Sequence, residues 1–153
     1  MDRKSTATER LPTLSYKYEL VIAKDYGKVF LLPDNQIMIC ELTKEYVPIE
    51  DFKEIFFETI PIIEKHQIKK FIFDKQNLQV FDQPSMEWYF IHWKKDIYDL
   101  GMKTHRKILP KDNPAFTLAV EAGRSKIKSE YKDTIISHLD IQYKTSIKEA
   151  IES

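Results

Sequence analysis

Five residues, Lys70-Phe71-Ile72-Phe73-Asp74, constrain this chain more than any others. Their continuous apolar centre suits a strand covered on both faces, as central strands of parallel sheets are. The run ends at an acidic residue, crosses a polar loop and enters MEWYFIHWKKDIYDLG. There Met86, Tyr89, Phe90, Trp93, Ile97 and Leu100 recur at helical spacing, and Trp88, Ile91 and Tyr98 widen the same face. A buried strand followed by an amphipathic helix is one unit of an α/β sheet, so the rest of the chain reads as neighbours of that unit.

Upstream, YKYELVI (16–22), KVFLL (28–32) and IMICEL (37–42) read as three strands of an antiparallel meander. Their turns are KDYGK, where Gly27 is free to take a positive φ, and PDNQ. A helix follows, with Phe52, Ile55, Phe56, Ile60 and Ile63 on its buried face. Pro61 removes a backbone donor there and predicts a kink or break near 57–59.

Downstream of Gly101, placed as a helix C′ residue, MKTHRKIL (102–109) reads as a strand. Lys103, His105, Arg106 and Lys107 make it very polar for a sheet interior and suit an edge position or one open face. Asn113 and Pro114 open the next helix, which Gly123 weakens by about 1 kcal/mol relative to Ala. TIISHLDI (134–141) alternates like a strand, and Ser146 with Glu149 has capping-box spacing at the start of a last helix. The expected fold class is α/β: a mixed, largely parallel sheet with an N-terminal antiparallel hairpin and about four helices. Residues 14–153 form one domain, and residues 1–13 a flexible N-terminal tail.

Lys+Arg and Asp+Glu both number 24, so the overall charge gives no reason to expect a nucleic acid as partner. No apolar run approaches the roughly 18 residues of a membrane span, and MDRKSTATERLPT lacks the apolar core of a secretory signal. Cys40 is the one cysteine, which excludes an internal disulfide and suits the cytoplasm. It sits in an apolar strand and reads as a structural thiol rather than a nucleophile. With 3 glycines in the chain there is no phosphate-binding or dinucleotide loop, and no GxSxG elbow. His66, His92, His105 and His138 form no close ligand pair, so no metal or other cofactor is expected.

Asp74, Asp82 and Ser85 share the loop after the central strand, the end of an open α/β sheet where ligands bind. Lys111, Asp112 and Asn113 come from the next such loop. The commoner role of Asp82 or Ser85 is a helix cap. The aromatic helix is more often core than the wall of an apolar-ligand pocket. Lys94, Lys95, Lys103, Arg106 and Lys107 read as a solvated face offset by Asp96 and Asp99, with contact to an anion as the alternative. An enzyme reading could take Asp74, Asp82 and His92 as acid–base groups, but nothing fixes their geometry.

The strand–loop–helix unit FIFDKQNLQVFDQPSMEW and the element order resemble the anti-sigma-factor-antagonist-like (STAS) family, in its STAS/Sec14-like variant, over about residues 16–152. Where that family carries an Asp-Ser-Ser-Gly-like sequence, this chain reads Asp82-Gln83-Pro84-Ser85-Met86. The resemblance implies a non-enzymatic, regulatory, protein-interaction domain whose working surface is the loop and helix start 75–88. Asp74, Phe81, Asp82, Gln83 and Ser85 are then its binding or regulatory residues, and Ser85 its nearest phosphorylation candidate. The expected partner is another protein, including a second copy of the chain. The alternative is a carrier holding a lipid-like or other apolar small molecule between sheet and aromatic helix.

Overall fold

The computed structural model describes residues 5–131 and 135–153. One six-stranded sheet runs through it in the order β1-β2-β3-β4-β5-β6. β1 (Glu19–Ala23), β2 (Gly27–Leu32) and β3 (Ile37–Leu42) are antiparallel neighbours. β4 (Lys70–Asp74), β5 (Thr104–Ile108) and β6 (Asp140–Tyr143) then run parallel to β3. The α/β class and the antiparallel opening are as expected from the sequence.

Strand order follows chain order, so each crossover from β3 onward steps the same way. Crossovers keep one hand, which brings the connecting helices onto one face. These are α2 (Ile49–His66), α3 (Gln83–Trp88), a π-helical turn (Tyr89–Trp93), α4 (Lys94–Asp99) and α5 (Pro114–Glu130). Val29, Leu31, Met38, Cys40, Phe71 and Phe73 meet them in the larger core. The other face is covered by α1 (Ala7–Arg10), the 3-10 turn Leu11–Thr13 and α6 (Ile147–Glu152), packed on Phe30, Leu32, Ile39, Ile72 and Ile108. Both faces of β4 are therefore buried, which explains its apolar centre.

The caps follow local rules. The Asp82 carboxylate accepts from Ser85 N, Asn113 from Phe116 N, and the Ser146 hydroxyl from Glu149 N. Gly101 has φ 95°, the left-handed C′ position.

Several expectations are corrected. From residue 5 on, the stretch read as a loose tail is packed. Ala7 and Leu11 are fully buried, Ala7 N donates to the Asp74 carboxylate at 2.9 Å, and Thr8 N donates to Glu41 at 2.7 Å. The helix through Pro61 is unbroken, because Pro61 and Phe57 lie on its solvent side, where water can serve the carbonyl that proline cannot. Gly27 takes no positive φ. What glycine gives here is close approach: a Cβ would meet Ile55 Cδ1 at 2.8 Å, and that side chain would have to turn aside.

β5 is neither an edge nor half-open. It lies between β4 and β6, with His105, Arg106 and Lys107 all buried. Arg106 satisfies itself on the α6 face, through Asp140 Oδ2 at 3.0 Å and the Ser153 hydroxyl at 3.0 Å. Residues 135–138 form a 3-10 turn rather than strand, and β6 begins only at Asp140, where Arg106 holds the carboxylate. Thr134, the first residue of that expected strand, lies outside the described residues.

Candidate functional site

The loop between β4 and α3 does not present its acidic residues together. Strand alternation sends Asp74 to the α1 face, where it accepts from Ala7 N, Gln76 N and Gln76 Nε2. Burial raises its pKa to about 6, although those donors act the other way. Asp82 lies on the opposite side of the sheet as the α3 cap. It accepts from Ser85 N at 3.0 Å and from the Ser85 hydroxyl at 2.6 Å. Ser85 is buried and committed to that bond, so the capping role is the one observed. Phe81 packs edge-on against Phe116, and Gln83 donates to Glu87. Asn113, the α5 cap, also donates to Gln79, tying the two loops together.

Beside this loop lies a cavity of about 50 Å³, walled by Val47, Phe52, Leu78, Phe81, Met86 and Phe116, with Lys75 and Tyr89 among its other lining residues. Backbone bonds from Gln79 N and Val80 N to the Glu45 carbonyl join the 43–48 connection to its rim. Val80, 51% exposed, is part of that rim. The aromatic helix itself is core. Tyr89, Phe90 and Trp93 are buried, Trp93 stacks on Tyr89 at 5.2 Å, and its Nε1 donates to Phe56 O and Thr59 Oγ1, both at 3.0 Å. The cavity is of a size for a small side chain or ion rather than an acyl chain.

The largest departure from the sequence reading is a group of buried amines. The expected solvated face breaks up: Lys95 and Lys103 are exposed, but Lys94 and Lys107 are fully buried. Lys107 points to the helix face because it shares the phase of its β4 partner Phe73. Lys94 arrives through the π turn, closed by the bond from Lys94 N to Tyr89 O. A π turn holds an extra residue, which rotates α4 about the helix axis relative to α3. Both Nζ atoms lie over the same two rings. Lys94 is 4.7 Å from the Tyr89 centroid and 5.2 Å from that of Phe90; Lys107 is at 5.0 Å and 4.2 Å. Lys75, 7% exposed, follows β4 and sits over Phe73. Arg124 of α5 donates to the Tyr143 hydroxyl at 3.0 Å.

No hydrogen-bond partner among the described residues meets Lys94 Nζ, Lys107 Nζ, the Tyr89 hydroxyl or Arg124 Nε. Burial lowers the Lys75 pKa to about 8, and the Arg124 charge adds to this. Burial and then the neighbouring cations push Lys94 and Lys107 well below the usual lysine range. His105, on the same face of β5, is pushed down by burial and then by Lys94, Lys107 and Arg106. The Met102 backbone lies near it without a well-formed hydrogen bond. Sequence reasoning missed this group because buried lysine is rare. The available signal was the polarity of 103–107 in a strand that had to be covered.

Among the described residues no three His, Cys, Asp or Glu side chains converge as metal ligands. Cys40 is buried, and burial, then Asp74 and Glu41, push its thiol pKa up. No described helix is long and apolar enough to cross a membrane. No protein-family model matches the sequence, and no curated protein matches it significantly.

Proposed function

We propose that the chain is a non-enzymatic regulatory or protein-interaction domain with its working surface at the loop and helix start 75–88. The observation that carries this reading is the apolar cavity opening at that loop, with exposed Val80 on its rim. Its size and lining fit one small apolar side chain from a polypeptide partner. An apolar anchor inside a polar border is the usual anatomy of a small protein interface. The likeness to the STAS family supports the same surface, and one buried thiol fits a cytoplasmic setting. The Ser85 hydroxyl already bonds Asp82, so this surface acts by contact and not by a phosphate on Ser85.

Val80→Glu tests the reading, because an exposed side chain can be changed without touching the core. Lysate from the source cell is passed over immobilised native chain, Val80→Glu, and Leu20→Glu as a distant exposed control. The expected result is a protein retained by the native chain and by Leu20→Glu and lost with Val80→Glu. Equal retention by all three, or none by any, overturns the reading.

A further inference from the structure

We infer that Lys75, Lys94, Lys107, Arg124 and Tyr89 enclose a binding site for a small dianionic oxyanion of the phosphate type, either free or as the head of a phosphate monoester. Two of these amines are buried without the partners that burial demands. Removing an unpaired charge from water costs more than a cation–π contact returns, and even a neutral amine buried without partners carries the cost of its lost hydrogen bonds to water. Tyr89 and Phe90 therefore cannot account for placing Lys94 and Lys107 side by side in the core. No hydrogen-bonding partner meets either amine among the described residues; the buried carboxylates Asp74 and Glu41 are taken up by α1 on the other face of the sheet, and Asp82, half-buried at the cavity, by Ser85.

Lys94 Nζ, Lys107 Nζ and Arg124 Nε are unused donors, and these groups, once protonated beside Lys75, call for charge of the opposite sign and several acceptor oxygens. A phosphate supplies both. A monocarboxylate balances less of the charge.

The position agrees with the chemistry. Lys107 is the penultimate residue of β5, and Lys75 follows the last residue of β4. The group thus lies at the carboxyl ends of adjacent parallel strands, where open α/β sheets bind ligands. It is completed from α5 and from a π turn, a feature frequent at functional sites. The apolar cavity supplies a way in, because Lys75 and Tyr89 line it as well. A monoester would leave its organic part there.

The test uses the native chain with inorganic phosphate, phenyl phosphate and acetate, against sodium chloride at equal ionic strength. Thermal unfolding is followed near pH 7.5, where both phosphates are chiefly dianions and the amines hold more of their protons than in stronger alkali. The expected result is a Tm that climbs with the logarithm of phosphate concentration, as for a ligand of the folded state alone, and no response to acetate beyond that to chloride. Tighter binding of phenyl phosphate identifies a monoester ligand; tighter binding of inorganic phosphate identifies the free ion.

Lys107→Met should weaken binding at least ten-fold while raising the Tm of the anion-free protein. Leu20→Glu, on β1 and not among the residues lining the cavity, should leave anion binding intact. Should Lys107→Met not fold, acylation of lysines in the native chain, mapped by mass spectrometry, decides the matter. Phosphate should slow modification of Lys75 and leave exposed Lys148 unchanged. A Tm that responds to phosphate only as to chloride, or phosphate that binds without protecting Lys75, overturns the proposal.

Discussion

At the scale of single residues, size and polarity pull in opposite directions within one core. Trp93 is the largest fully buried side chain, enclosed by Phe56, Phe71 and Tyr89, with both its ring and its N–H satisfied. Trp93→Ala should cost about 3–5 kcal/mol in urea unfolding, as large aromatic truncations do. A loss below about 1 kcal/mol would mean the site collapses without harm. Lys107 is the opposite case. Lys107→Met keeps most of the volume and removes an unpaired amine, so in anion-free buffer it should stabilise the fold by about 1–4 kcal/mol. The burial of Trp93 was legible from its helical phase with Tyr89 and Phe90. That of Lys94 and Lys107 was not, because a charged side chain reads as surface until something shows what covers it.

At the scale of elements, legibility followed the range of the interactions. The caps at Asp82, Asn113 and Ser146 each bond a residue three positions on, and all three could be read locally. The N-terminal segment could not, because its partners Asp74 and Glu41 are 67 and 33 positions away. Deleting residues 1–13 should therefore be costly: it exposes the apolar surface under Ala7 and Leu11 and takes donors from two buried carboxylates. Losses of about 1–3 kcal/mol per stranded polar group, added to the lost burial, put the effect on the order of 5 kcal/mol. Equilibrium denaturation showing less than about 1 kcal/mol would return the segment to the status of a tail.

Gly123 belongs to the same scale. Its neighbours explain a residue that helix propensity alone disfavours: a Cβ would meet Gln83 Oε1 at 2.5 Å, Met86 Sδ at 2.9 Å and Phe81 Cζ at 3.0 Å. Gly123→Ala should gain about 1 kcal/mol of propensity and lose more to overpacking, for a net destabilisation of about 1–2 kcal/mol. A more stable variant would show that the 81–86 segment yields easily.

At the scale of the whole molecule, the buried amines should set how stability varies with pH. A lysine whose folded pKa is depressed contributes fully above its unfolded value near 10.5, and that contribution is lost as pH falls through the folded value. Lys75 falls to about 8, and Lys94 and Lys107 lie well below their usual range, so all three act in the same direction between about pH 8 and 9. Each can add up to about 1.4 kcal/mol per pH unit. Cys40 opposes them only above its ordinary value of 9.0, because burial raises its folded pKa. Stability in anion-free buffer should therefore rise from pH 7.5 to 9, by on the order of 1 kcal/mol or more per unit. The Lys94→Met, Lys107→Met double variant should flatten this rise, leaving the part due to Lys75 and to Lys70, which partial burial also lowers. Saturating phosphate should flatten it in the native chain as well, because a bound dianion favours the protonated amines and stabilises the low-pH end. Urea denaturation at pH 7.5, 8.25 and 9 reads all three cases. A native profile that falls over this range would mean that the amines reach water when protonated, and burial would then no longer argue for an anion among them.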